Sequence, residues 1–338
     1  MKIRRKLQTW FLNQMGLTSQ PVIKVYNGYG DDDLLLLFGH VFSRSPLIKN
    51  TAPTNTWSTS FSLLRMFLTK PYVQTELEII WNGQSLRTLT DKDGFFKFEW
   101  RSPNEPEAGW HTVNVRMVNN PTIEGVGKIL VPHPTPYGFI SDIDDTLLIS
   151  HSTNLRKRLY VLLTKDATKR KPFSFAVKHY RLLAAGSPLN HAPHPFFYVS
   201  SSEWNLYDYL IHFQKSQNIP EGILLLSRIK YWNELLKQGQ TKHSGKLVRI
   251  AKVLQKFPHR RFVLLGDDTQ QDPKIYARII RLFPNRILCV YMRKVRKDAP
   301  TSTLVQIQLM KEAGVSVCYF SHSEEAIQHS KEIGLIDL

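Results

Sequence analysis

From Tyr137 onward the hydrophobic positions fall in short runs: Tyr137–Ile140, Phe196–Val199, Ile223–Leu226, Phe262–Leu265, Ile287–Tyr291 and Ser316–Tyr319. Helical stretches separate several of them. Strands that are apolar on both faces and alternate with helices predict a parallel sheet covered on both sides. Before Tyr137 the pattern is different. Val22–Tyr26, Leu34–Phe42, Glu76–Trp81, Gly94–Trp100, Trp110–Val118 and Val126–Val131 read as short strands. In the fourth, Phe95, Lys97 and Glu99 alternate with Phe96, Phe98 and Trp100, as a half-buried strand does. Asn82-Gly83 is a hairpin dipeptide, and Asp91-Lys92-Asp93-Gly94 closes a second turn. This predicts an all-β, sandwich-like domain over residues 21–131. Pro132-His133-Pro134-Thr135-Pro136 is a stiff connector, and an α/β domain is expected over 137–338. Residues 147–195 are too many for one crossover helix, so a small cap insertion is expected there.

Residues 1–20 predict an amphipathic helix. Ile3, Leu7, Trp10, Phe11 and Met15 share a stripe, with Arg4, Arg5 and Lys6 beside it. Such a helix either docks on its own domain or lies on an anionic membrane surface. No apolar run approaches the roughly 18 residues a bilayer span needs. The apolar stretch after the first cations is too short and interrupted for a signal peptide. Cys289 and Cys318 each sit in a strand-like apolar run and read as reduced core residues. A cytoplasmic protein with peripheral membrane association is therefore expected.

The 338 residues carry a net charge of +17. Residues 1–136 hold 15 basic and 11 acidic side chains, and residues 137–338 hold 30 and 17. A field of that sign favours phosphoesters, anionic membranes or nucleic acid, without choosing among them. In the β domain, Asp31-Asp32-Asp33 reads as a solvated loop rather than a calcium site, since no second ligand cluster accompanies it.

The chemistry concentrates at the strand ends, where open parallel sheets bind their ligands. The first strand runs straight into Asp142-Ile143-Asp144-Asp145-Thr146. Crowded carboxylates repel unless a cation sits among them. Asp142 and Asp144, separated by one residue at the strand end, suit a nucleophile and a separate acid/base. The second strand ends in Ser200-Ser201-Ser202, placing a hydroxyl either on a phosphoryl oxygen or on a helix N-terminus. The fourth ends in Gly266-Asp267-Asp268, with Asp272 following, and supplies hard oxygen ligands from a second strand. Lys246 opens the helix before that strand, within reach of a phosphoryl oxygen. Together these read as a magnesium-dependent phosphoryl-transfer site.

The D-x-D-x-T element, the strand-end serine, the lysine and the G-D-D…D element occur in the order found in haloacid-dehalogenase-like phosphatases. Further residues resemble one branch, the actin-patch-associated magnesium-dependent phosphatidate phosphatases: Ala167–Phe173, Tyr198–Tyr207 and Gly266–Tyr276. The resemblance covers most of 137–320, with Glu203, Gly245 and Lys274 departing from the expected proline, histidine and acid. It implies a haloacid-dehalogenase-like parallel sheet with helices on both faces, and phosphatidate hydrolysis to diacylglycerol through an aspartyl-phosphate. Asp142 would be the nucleophile, and Asp144 the acid/base. Mg²⁺ would be held by Asp142, the Asp144 carbonyl and Asp267, with Asp268 or Asp272 through water. Thr146, Ser200 and Lys246 would position the phosphoryl group, and Asp145 either supports them or only shapes the turn. In the cap, Arg156, Lys157, Arg158, Lys169, Arg170 and Lys171, interleaved with apolar residues, suit either a lipid headgroup at an anionic interface or a solvated helix face. The alternatives are a soluble phosphatase of the same fold and a non-catalytic scaffold. No nucleic-acid-binding module accompanies the site.

Overall fold

The computed structural model describes residues 20–31, 33–44, 69–143, 174–185, 192–229, 242–269, 271–296, 298 and 300–336. The N-terminal helix, Asp144, Asp145, Thr146 and the basic cap residues Arg156, Lys157, Arg158, Lys169, Arg170 and Lys171 lie outside them. The chain divides into two compact units, with a boundary between Val131 and Pro132.

Among the described residues the first unit holds eight strands: β1 (Val22–Gly30), β2 (Leu35–Arg44), β3 (Lys70–Pro71), β4 (Glu76–Trp81), β5 (Gln84–Leu89), β6 (Phe95–Trp100), β7 (Gly109–Met117) and β8 (Asn120–Val131). They form one hydrogen-bonded sheet in the order β3-β2-β1-β8-β7-β4-β5, with β6 on β2. All pairs are antiparallel except β1–β8, a parallel seam of two register pairs, Gly28–Ile129 and Tyr29–Leu130. The antiparallel stacks on either side of that seam share one core. It includes Leu35, Leu37 and Phe96 from one stack and Leu77, Ile79 and Val115 from the other. Burying each such side chain contributes roughly 1.5–3 kcal/mol. β5 was not foreseen. Its QSLRTL sequence is mostly exposed, because an edge strand needs no apolar alternation. Asn82 and Gly83 (φ 46° and 81°) form the β4–β5 hairpin, where both central residues must be left-handed. In the acidic loop, Asp31 Oδ1 accepts the backbone N–H groups of Asp33 and Leu34, an ordinary Asx turn.

Among its described residues the second unit forms a six-stranded parallel sheet: β9 (Tyr137–Asp142), β10 (Phe196–Glu203), β11 (Ile223–Ser227), β12 (Arg261–Asp267), β13 (Ile287–Arg293) and β14 (Ser316–Phe320). Its order is β11-β10-β9-β12-β13-β14. The chain winds outward from β9 through β10 to β11. It then returns to β12, on the other side of β9, and continues to β14. The sense of winding reverses between β9 and β12, and that is where such sheets bind ligands. The helices are α1 (Ser174–Ala185), α2 (Tyr207–Ser216), α3 (Lys242–Lys256), α4 (Asp272–Leu282), α5 (Thr301–Glu312) and α6 (Ser323–Glu332). By the right-handed rule for such crossovers, α1 and α2 belong on one face of the sheet and α3, α4 and α5 on the other. Phe139, Ile140, Phe196, Val199, Val263 and Leu264 are fully buried, as expected of strands covered on both faces.

Within the stretch read as a cap, α1 is a covering helix of the core. It buries Ala176, Tyr180 and Leu183 and exposes the Lys178 side. Both cysteines are free. Among the described residues no helix is long and apolar enough to cross a membrane.

Candidate active site

β9 delivers Asp142 as its last residue, and β12 delivers Asp267 as its last residue. The two strands are neighbours, so both carboxylates reach the switch point. Asp272 is the first residue of α4, followed by Pro273. Proline is favoured in a first helical turn, and the helix dipole favours a carboxylate there. Asp142, Asp267 and Asp272 are each 0% exposed, and one oxygen from each lies within 4.8 Å of the others. Lys246, on the first turns of α3, comes in from the side. Its ammonium is 3.0 Å from Asp142 Oδ1 and donates a short hydrogen bond to Asp272 Oδ1.

Among the described residues, the three buried carboxylates crowd round the Lys246 ammonium, with the Arg293 guanidinium also in electrostatic reach of Asp267. Burying unbalanced charge is costly. The donor set is all hard oxygen, the chemistry that suits Mg²⁺, and a divalent ion would offset the repulsion among the three carboxylates. Burial pushes the Asp272 carboxyl well above its ordinary range. Lys246 pulls it back, and Asp142 and Asp267 push it further up. Burial alone would lower Lys246, but Asp142 and Asp272 outweigh it and hold the ammonium protonated.

Neighbouring side chains fix the carboxylates. Thr269 donates its N–H (2.6 Å) and its hydroxyl (2.5 Å) to Asp267 Oδ1. The Tyr276 hydroxyl donates to the Leu265 carbonyl at 2.8 Å. Gly266 leaves room for both. A Cβ there would stand 2.7 Å from Asp272 Oδ2 and 2.8 Å from the Tyr276 oxygen. Thr269 and Tyr276 lie in the Gly266–Tyr276 run that carries the family resemblance, but the sequence assigned neither of them a role. A further signal was a threonine two residues after an aspartate, the spacing of an Asx turn.

Asp268 is not part of the cluster. Its Oδ1 accepts from the N–H groups of Val295 and Arg296, and its Oδ2 accepts from the Tyr319 hydroxyl at 2.8 Å. Successive residues at a strand end point to opposite sides, so Asp267 faces the site and Asp268 ties down the next loop. Of the two secondary metal candidates, the geometry therefore favours Asp272. Ser200 follows Val199, the register partner of Asp142. Its hydroxyl accepts the Ser202 N–H at 2.9 Å, and its carbonyl accepts from Arg249. Gly245 leaves the space that the Arg249 guanidinium occupies, 3.1 Å from where a Cβ would lie.

Residues 137–294 match the family model for the catalytic domain of phosphatidate phosphatase APP1. All four clustered side chains fall inside this APP1-like segment, as do Thr269, Tyr276 and Gly266. Phosphatidate phosphatase APP1 of Saccharomyces cerevisiae is 30% identical over 168 residues, covering 47% of this chain and 26% of that protein. An uncharacterised Schizosaccharomyces pombe protein is 26% identical over 160 residues, covering 47% of this chain and 25% of the relative. The chain thus spans about a quarter of the length of these curated relatives. A carbohydrate acetylesterase from Xanthomonas citri superposes at a TM-score of 0.34 with 9% identity, covering 91% of this chain and 73% of that one. Likeness at that level carries no argument.

Proposed function

We propose that the second unit is a magnesium-dependent phosphatidate phosphatase of the haloacid-dehalogenase-like type, working at an anionic membrane surface. The observation that carries the reading is the convergence of Asp142, Asp267, Asp272 and Lys246 at the switch point, inside the segment that resembles the APP1 catalytic domain. The basic balance of residues 137–338 supports an anionic lipid surface.

Asp142, Asp267 and Asp272 would hold Mg²⁺, which when bound supplies positive charge that lets a carboxylate approach a phosphate. The Asp142 carboxylate attacks phosphorus, an oxygen–phosphorus bond forms, and the bond to the glycerol oxygen breaks. Asp144 gives its proton to that departing oxygen, releasing diacylglycerol. Water then attacks phosphorus, Asp144 takes the proton back, and phosphate leaves with Asp142 restored. Lys246 stays cationic throughout and holds Asp142 against rotation. Thr146 and Ser200 would bind the phosphoryl oxygens.

Asp142→Asn removes the nucleophile while keeping the volume of the side chain. Its turnover should fall by at least about 1,000-fold, read as phosphate release, with the thermal midpoint retained. Wild-type turnover in that variant would refute the mechanism. Asp142-dependent hydrolysis of a small soluble phosphomonoester with none of phosphatidate would keep the chemistry and discard the lipid.

A further inference from the structure

We propose that Tyr180 and Ser141 are positioning residues for Asp142, acting through one directed chain of hydrogen bonds that ends on the Asp142 backbone carbonyl. The inference rests on Asp142 as the nucleophile, and it deepens that reading by assigning α1 a part in holding it.

The Ser141 hydroxyl lies 2.7 Å from the Asp142 carbonyl oxygen and 2.8 Å from the Tyr180 hydroxyl. Hydrogen counting sets the direction. A carbonyl can only accept, so the single Ser141 proton goes to Asp142. Tyr180 must then donate to Ser141. The chain runs Tyr180 O–H to Ser141 O–H to Asp142 C=O, with each bond polarising the next. Ser141 and Asp142 are 0% exposed and Tyr180 is 3% exposed, so water does not compete for these groups.

The donor is itself anchored. Tyr180 packs its ring on Phe196 at 5.7 Å between centroids. Its neighbour His179 bonds through Nε2 to the Ser330 hydroxyl of α6 at 2.7 Å, and meets the Tyr291 ring of β13 edge-on at 4.9 Å. Two successive residues thus bind α1 to the sheet and to α6. The carbonyl they reach belongs to the last residue of β9, where the pairing with β10 ends at Val199–Asp142. That pairing is the last rung of the β9–β10 ladder, so the hydroxyl chain adds a second restraint on the Asp142 carbonyl where the ladder stops. In-line attack needs the nucleophile held to roughly half an ångström, and a displacement of about 1 Å can cost on the order of 100-fold in rate.

The test compares wild type, Asp142→Asn, Tyr180→Phe, Ser141→Ala and the Tyr180→Phe/Ser141→Ala double variant. Phosphate release is followed from phosphatidate in mixed micelles and from a soluble aryl phosphomonoester. Each single variant should lose about 5- to 50-fold in kcat with KM within about twofold of wild type. The double variant should fall little further than the worse single, because both act through one chain. Unchanged kcat in Tyr180→Phe, a loss confined to KM, or losses that multiply in the double variant would overturn the inference. Should Tyr180→Phe fail to fold, Ser141→Ala removes one oxygen from the same chain and decides alone: full kcat overturns the inference, and a 5- to 50-fold loss supports it. Wild type inactive on both substrates would bring down the Asp142 reading and this inference together. An Asp142-dependent wild type matched by Tyr180→Phe would bring down this inference only.

Discussion

At the residue scale the site is an electrostatic problem with one local solution. Asp142, Asp267 and Asp272 are buried together, and Lys246 is the cation that reaches two of them. Removing one partner of a buried ion pair typically costs about 3–5 kcal/mol. Lys246→Met should therefore destabilise the protein by about that much in EDTA, measured by urea unfolding. Mg²⁺ should recover part of the loss, because it supplies the missing charge to the same carboxylates. An equal loss with and without Mg²⁺ would mean that the cluster does not take the ion. The type and order of these residues were legible in the sequence, because strand ends crowded with aspartate are uncommon without a cation. The choice between Asp268 and Asp272 was not. Both are aspartates in one short turn, and only the alternation at the end of β12 sends Asp268 to Tyr319 and leaves the site to Asp267.

At the element scale the approach of α4 to β12 sets the position of Asp272. Gly266 permits that approach, since any side chain there meets Asp272 Oδ2 and the Tyr276 ring. Gly266→Ala should cost roughly 1–3 kcal/mol through overpacking, and it should reduce kcat by more than the stability loss explains, because Asp272 is what moves. Thermal melts and steady-state kinetics on the same preparation decide this, and a stability loss with wild-type kcat would contradict it. The strands of the second unit were legible because both of their faces are apolar. β5 was not, since Gln84, Ser85 and Arg87 give an edge strand no apolar alternation. The role of α1 was also hidden. Tyr180 and Ser141 are 39 positions apart, and no local pattern links an apolar helix face to the hydroxyl it will find on a strand. The 147–195 stretch therefore read as one insertion, although Ser174–Ala185 covers the core.

At the scale of the whole molecule, buried histidines set the response to acid. His40 in the first unit accepts or donates at the Tyr26 hydroxyl, 3.0 Å away, and burial lowers its pKa to about 3. In the second unit, burial, then Arg293 and His329, lower His179 to about 3. Their unfolded values lie near 6.5, so between about pH 6.5 and 3 the unfolded chain binds more protons than the folded one. Stability is therefore full above pH 6.5 and is lost as pH falls, by up to about 1.4 kcal/mol per pH unit for each histidine. Melting curves from pH 7.5 to 5 should show that slope, and His179→Gln should flatten it. A wild-type midpoint independent of pH over this range would contradict the assignment. The order of the parallel strands, which puts the switch point between β9 and β12, became visible only in three dimensions, since sequence order does not state which strands are neighbours. The central claim is that this switch point hydrolyses phosphatidate through Asp142 with Mg²⁺. Phosphate release from phosphatidate in mixed micelles, with Mg²⁺ or EDTA, and with wild type beside Asp142→Asn, tests it most directly. The account predicts release only from wild type with Mg²⁺. Release that persists in EDTA or in Asp142→Asn would contradict it.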